Sequence, residues 1–272
     1  MTFEIKYDKL VGVDYQESPN HSGTIKPVGI VNHYTAGYSG ESAINTFLNR
    51  SSKVSAHLVI DRDGTVTQMV PFNKKAWHAG PSRYQGWRNL NGFFIGVEFV
   101  NIGYLRKTNK GYEDPYGRAY DLDKYDQTVI AEAEPRIGAG TFYWPSYSVA
   151  QIEAGLAVEQ AIIDKYDIQA IVTHEEIDTR GWKTDPGPNF PQRRFKLLLD
   201  TRQDGEEEPI IGAFRVTAST LNVRSGPGVQ NEKFYELKRD TAVVVNEFVG
   251  DWAYITFEQG RNGWVASRYL SR

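Results

Sequence analysis

Cysteine is absent from all 272 residues. That excludes disulfides, thiol nucleophiles and cysteine metal ligands, so any metal site must draw on His, Asp or Glu. Long apolar runs are missing as well. No segment reads as a transmembrane span, and the N-terminal "MTFEIKYDKLVGVDYQ" lacks the apolar core of a signal peptide. Nor is there an excess of either charge. Lys+Arg number 31 against 34 Asp+Glu, a formal net charge of -3, which offers no electrostatic footprint for nucleic acid or an anionic membrane.

What remains describes a globular chain with 40% hydrophobic and 24% charged residues, long enough for one large core or a larger domain plus a small module. Aromatic residues reach 13%, enough to line a carbohydrate or peptide groove, though packing is their commoner use.

The texture changes near residue 200, and the domain boundary falls at about residue 205. "LLLDTRQDGEEEPIIG" runs from a helix end into an acidic stretch with little to bury, which reads as a linker over 205–211. Residues 212–272 hold short alternating runs broken by Gly, Pro, Asp and Asn, the pattern of a small all-β barrel. Residues 1–204 mix strands and helices. "VGIVNHY", the pair in "SAHLVIDRDGTVTQMV" joined at Asp63-Gly64, "FFIGVEFVN" and "QAIVTHEEI" read as strands. "GESAINTFLNR" reads as a helix with Ile44, Phe47 and Leu48 inward. A second helix follows Ser148 and Gln151, which resemble a capping box, and carries Ile152, Leu156, Ile163 and Tyr166 along one face. The tyrosine-rich segment 104–144 has little periodicity and reads as a surface insertion that frames a groove.

His33 and His174 each close an apolar run, and Asp185 lies in "GWKTDPGPNF", a loop stiffened by Pro186 and Pro188. Strand ends and adjoining loops are where open sheets place functional groups. Two imidazoles and a carboxylate make a three-ligand zinc set with the fourth position left to water. Core histidines and a helix-capping aspartate fit the same spacing. Glu98 interrupts "FFIGVEFV", where a buried carboxylate is costly unless paired or protonated; an edge strand with a solvated face is the alternative. Lys183, beside Asp185, is either an exposed lysine or a group that stabilises charge on a substrate oxygen. Trp77, His78, Arg88 and Asn91 are candidates to line the same cleft and contact substrate, and packing roles suit them equally. His57 reads as structural and His21 as a surface residue.

Taken in order, "IVNHYTAG", "SAHLVIDRDGTVTQMVPFNKKAWHAG", "IGVEFVN", "WPSYSVAQIEAG", "IVTHEEI" and "KTDPGPNF" resemble the type-2 zinc N-acetylmuramoyl-L-alanine amidases, the AmpD-like enzymes related to peptidoglycan recognition proteins and phage amidases. The resemblance covers about residues 15 to 200. It implies an α/β amidase domain, with a mixed central sheet flanked by helices, and one zinc ion per chain held by His33, His174 and Asp185. It also implies Glu98 as general acid/base and Lys183 as oxyanion partner. Some relatives place a catalytic tyrosine where this chain has Ala56, so this chain sides with the branch that relies on glutamate. The insertion 104–144 has no counterpart in the family pattern. "LNVRSGPGVQN" and "GWVASRYL" resemble bacterial SH3-like domains, which implies a wall-binding barrel over 212–272.

The expected activity is hydrolysis of the amide between N-acetylmuramic acid and L-alanine, with peptidoglycan or muropeptides as partners. The rival readings are a non-catalytic peptidoglycan binder and a zinc peptidase acting within the stem peptide. Without a visible export signal, the expectation is synthesis in the cytoplasm and action on the cell wall, by phage-type lysis or another export route, ahead of cytoplasmic recycling.

Overall fold

The short apolar run that opens Gly29–Tyr34 suits a buried strand, every position of which but Tyr34 is buried, and that is where the central sheet is built. A computed structural model of the chain describes residues 2–109, 111–121, 129–200, 212–249, 251–258 and 260–271. The linker assigned to 205–211 lies outside the described residues. Those that are described divide into two compact units, one up to Asp200 and one from Gly212.

Six strands form the sheet of the first unit: β1 (Asp14–Tyr15), β2 (Gly29–Tyr34), β3 (Leu58–Ile60), β4 (Val66–Gln68), β5 (Phe94–Phe99) and β6 (Ala170–Thr173). Their spatial order is β6-β2-β5-β3-β4-β1. β2 pairs in parallel with β5 and β6, β5 with β3, and β1 with β4, while β3 and β4 form the antiparallel hairpin foreseen at Asp63-Gly64. The sheet is therefore mixed. In register, Glu98 lies opposite His33, and Thr173, the residue before His174, lies opposite Asn32. Three chemistry-bearing residues thus meet at the C-terminal ends of three adjacent parallel strands, the crevice where open sheets take ligands.

Helix α1 (Gly40–Leu48) starts at Ser39, whose hydroxyl accepts from Ser42 N. Its buried positions are Gly40, Ala43 and Phe47, with Ile44 packed alongside. Leu48, expected inward, is exposed because it lies on the last turn, rotated off that stripe. Helix α2 (Val149–Lys165) is N-capped by Ser148, whose hydroxyl accepts from Gln151 N at 3.0 Å. The expected reciprocal box does not form. Gln151 instead turns its Nε2 to the carbonyls of Ile60 and Val100, where β3 and β5 end. Ile152 and Ile163 are buried on α2, and Leu156 and Tyr166 pack against the same core.

"QAIVTHEEI" does not stay extended. The strand stops at Thr173, and α3 (His174–Ile177) begins at once. Thr173 and Glu176 make a reciprocal capping box there, with Thr173 N donating to Glu176 Oε2 at 2.8 Å and Glu176 N to Thr173 Oγ1 at 3.2 Å. α4 (Gln192–Asp200) packs against α2 and β6.

The segment 104–144 is more regular than its composition suggests. Arg106–Thr108, Gly111–Glu113 and Ala119–Tyr120 form a three-stranded antiparallel sheet, and Val129–Ala133 pairs with Thr141–Pro145. These runs are too short for periodicity to reveal, and local hairpin pairing decides them. In the second unit, seven antiparallel strands bury Val223, Leu237, Val245, Ile255 and Val265 on one face, the alternation expected of a small all-β module. Among the described residues no helix is long and apolar enough to cross a membrane.

Phe99 is fully buried at the end of β5, with ring contacts to Tyr147, Phe190 and Phe195. Phe99→Ala is expected to cost about 3–5 kcal/mol in chemical denaturation. Glu159 on α2 is fully buried, and the Asn32 side chain only partly offsets the effect of that burial on its carboxyl. Burial pushes its pKa well above the ordinary 4.5, so it is neutral in the fold and ionised once unfolded. Its stabilising effect is complete below pH 4.5 and declines as pH rises toward the raised folded value. Glu159→Gln should match the wild type in melting temperature near about pH 4 and exceed it at about pH 8. Parallel pH profiles for the two proteins would show that Glu159 is charged in the fold.

Candidate active site

His33 Nδ1, His174 Nδ1 and Asp185 Oδ2 form a triangle with sides of 3.0, 2.9 and 2.9 Å. All three residues are buried, and they are the one group of three or more potential ligands found to converge among the described residues. Each reaches the point by a different local device. His33 is carried by β2, His174 opens α3 behind its capping box, and Asp185 is delivered by the proline loop.

That loop is pinned along its length. Asp178 Oδ2 accepts from Trp182 N and Lys183 N, Tyr34 and Thr184 share a hydroxyl bond of 2.8 Å, and Asp185 O accepts from Glu175 N. Pro186 O accepts from Tyr147 Oη at 2.6 Å, and Asn189 Nδ2 donates to Trp144 O at 2.6 Å. Gly187 lies at φ 81° against the Trp144 ring, where a Cβ would stand 2.8 Å from a ring carbon.

The triangle cannot be satisfied by protons. His78 Nε2–H donates to the Phe94 carbonyl at 3.1 Å, because a carbonyl only accepts. Burial and the neighbouring imidazoles hold His78 well below its ordinary pKa, so it is neutral and its Nδ1 accepts. His33 Nε2–H must then donate to His78 Nδ1, across 3.0 Å. Burial, reinforced by His174, lowers His33 to about 4, so it too is neutral and its Nδ1 carries a lone pair. That lone pair faces Asp185 Oδ2, an acceptor. Burial acts to raise Asp185, but His174 and His33 outweigh it and hold the carboxyl well below the usual range. At least one edge therefore sets lone pair against lone pair at hydrogen-bond distance. A cation at the centre removes the conflict, and two imidazoles with one carboxylate suit zinc. His174 Nε2 is buried without a partner.

A cavity of about 520 Å³ opens on this cluster, and Glu98, Lys183, Trp77, His78, Tyr38, Tyr104, Arg118 and Trp182 contribute to its lining. Glu98 Oε2 is buried without a partner. Burial and the Asp185 carboxylate push Glu98 well above its ordinary value, with Lys183 opposing. Trp77 donates from Nε1 to Ser22 Oγ at 3.2 Å. His78 contacts His33 rather than standing free toward a substrate, and its ring fits only because residue 96 is glycine: a Cβ there would meet it at 2.5 Å. The other two candidates for the cleft lie elsewhere. Arg88 is exposed in a hairpin with Arg83–Tyr84, outside the cavity lining. Asn91 is structural, its Oδ1 accepting from His78 N and Ala79 N. Ala56 is fully buried and supplies no polar group. His57 uses both ring nitrogens internally, on Lys74 O and Gly96 N. Tyr38, Tyr104, Arg118 and Trp182 escaped the sequence reading. Their only signal was the aromatic richness of the loops that carry them.

Residues 23–188 match a family described as N-acetylmuramoyl-L-alanine amidase, and residues 219–271 match the bacterial SH3 domain. The 1,6-anhydro-N-acetylmuramyl-L-alanine amidase AmpD of Escherichia coli K12 is 34% identical over 148 residues, 54% of this chain and 59% of that protein. The N-acetylmuramoyl-L-alanine amidase AmiD of Escherichia coli K12 is 28% identical over 175 residues, 61% of this chain and 51% of that protein. This chain thus spans less than two thirds of the length of either relative. A crystal structure of an AmpD derivative aligns with a TM-score of 0.49 at 26% identity, covering 71% of this chain and 98% of that one.

Since His78 fixes which nitrogen of His33 carries the proton, His78→Ala should weaken the affinity of the cluster for an added divalent metal ion about 10- to 100-fold in chelator competition. His78→Gln, whose amide oxygen can accept from His33, should recover part of the loss. Equal affinity in the alanine variant and the wild type would mean that His33 is oriented without it.

Proposed function

The chain belongs to the N-acetylmuramoyl-L-alanine amidase family, and from that premise we propose that it hydrolyses the amide joining the lactyl group of N-acetylmuramic acid to L-alanine in peptidoglycan. The observation that carries this reading is the triangle of His33, His174 and Asp185 at the floor of a cavity that Glu98 and Lys183 also line.

In this reading His33, His174 and Asp185 hold one zinc ion. When bound, zinc supplies Lewis acidity toward the scissile carbonyl and brings the pKa of a water toward neutrality. Glu98 takes a proton from the attacking water at Oε2, the oxygen with no protein partner. Its raised proton affinity, due to burial first and Asp185 second, suits a group that must accept a proton and then return it. The returned proton goes to the alanine nitrogen as the C–N bond breaks, leaving a lactyl carboxylate and a free L-alanine amine. Lys183 donates to the carbonyl oxygen as it gains negative charge. The pinned backbone from Trp182 to Asn189 supports these roles, because small displacements of either group would cost rate. Trp77 forms part of the wall against which the substrate lies.

We assign residues 1–204 to catalysis and 205–211 to a linker. Residues 212–272 we assign to wall anchoring, a reading supported by the bacterial SH3 match over 219–271.

Glu98→Ala should lower turnover on sacculi by about 10²–10⁴-fold while one zinc per chain is retained. Chelation should abolish turnover in the wild type, and added zinc should restore it. Mass spectrometry of the wild-type products should find stem peptides that begin with a free L-alanine amine. Fragments cut within the stem would point to a peptidase instead, and full turnover by Glu98→Ala would remove Glu98 from the mechanism.

A further inference from the structure

The cavity lining contains two cationic side chains, Lys183 and Arg118. Lys183 has a role at the reacting carbonyl in the reading above. Arg118 has none, and it comes from the segment 104–144, which reads in the sequence as an insertion.

Its setting is built. Asp114 is buried and organises the turn from 114 to 118. Asp114 Oδ1 accepts from Tyr116 N and Arg118 N at 2.9 Å each, and Oδ2 accepts from Arg118 Nε at 2.6 Å. The guanidinium carbon stands 5.0 Å from the centre of the Tyr38 ring, which lines the same cavity. The side chain is 53% exposed, and its Nη1 and Nη2 groups have no hydrogen-bond partner among the described residues. Asp114 thus occupies one edge of the guanidinium and leaves the Nη1/Nη2 edge as a planar fork facing open space, the geometry that matches a carboxylate with two parallel bonds.

We propose that Arg118 recognises a free carboxylate on the peptide half of the substrate, so that the stem runs from the reacting carbonyl toward the insertion. This rests on the muramoyl-amide reading. In such a substrate the lactyl carboxyl is consumed in the scissile amide, and the saccharide offers hydroxyl and acetamido groups, so free carboxylates lie on the peptide side. An arginine fork therefore assigns a direction to the groove as well as a specificity. Tyr38 holds the guanidinium plane from one side, which reduces the entropy lost when a carboxylate docks.

The test uses the full zinc-loaded chain and two synthetic substrates. One is a GlcNAc–MurNAc disaccharide carrying L-alanyl-D-glutamate, and the other is the same compound with both glutamyl carboxyls amidated. The wild type should favour the acid in kcat/KM by about tenfold, the scale of one charge-assisted hydrogen-bonded pair. Arg118→Gln should bring the two substrates level by raising KM for the acid alone, and Arg118→Lys, which keeps the charge but loses the fork, should fall between. A wild type that does not distinguish acid from amide overturns the proposal. So does an Arg118→Gln variant that keeps the preference, or that loses both substrates equally, as a purely structural role requires. Cleavage of neither compound by the wild type overturns the amidase reading and this inference with it, whereas the other adverse outcomes overturn this inference alone.

Discussion

Three atoms that repel one another unless a cation lies among them set the terms for the first unit. His33 Nδ1, His174 Nδ1 and Asp185 Oδ2 sit within 3.0 Å of each other in a buried position, where no proton arrangement satisfies every edge. Holding such a contact requires rigid support from three directions. The support is visible in the parallel register of β2, β5 and β6, in the capping box that turns His174 inward, and in the bonds that fix the proline loop from Trp182 to Asn189. The aromatic cluster of Phe99, Tyr147, Phe190 and Phe195 ties that loop's end to the core, so packing and site geometry are one construction.

Polar groups behind the triangle matter as much as the triangle. The Phe94 carbonyl fixes the proton on His78, His78 fixes the proton on His33, and the lone pair that results points at the cluster. The chain of consequence begins at a backbone oxygen that no residue-type argument would single out. Glu98 owes its position to the same sheet: the register opposite His33 puts its carboxyl toward the cavity, where burial keeps its proton affinity high. The insertion adds a separate wall whose charge is held by Asp114, so the parts that do the proposed chemistry and the parts that would choose the substrate come from different stretches of chain.

Much of this was legible in residue order. The apolar runs around His33 and His174 announced buried strands, Asp63-Gly64 announced the hairpin, and the alternation after residue 212 announced an all-β module. The motif series from "IVNHYTAG" to "KTDPGPNF" pointed to the family to which the chain belongs. Other elements were misjudged for identifiable reasons. Leu48 reads as inward by residue type but is rotated off the buried stripe of α1 formed by Gly40, Ala43 and Phe47. Gln151 fits a capping box, yet two carbonyls at the ends of β3 and β5 offer its amide a buried partner that local sequence cannot reveal. The strands of the insertion are so short that pairing, and not pattern, creates them.

By itself the sequence determined composition, the type of the longer elements and the identity of the donors, because these follow from side-chain chemistry and from periods of two and of three to four residues. Which donors touch was decided only in three dimensions. His78 became a partner of His33 while also lining the cavity, Asn91 became a brace, and Arg118 entered the cavity of His33 from a distant segment. The physical reason is that hydrogen-bond direction and cavity walls depend on separations of a few ångströms between segments far apart in the chain, and only the packed sheet sets those separations.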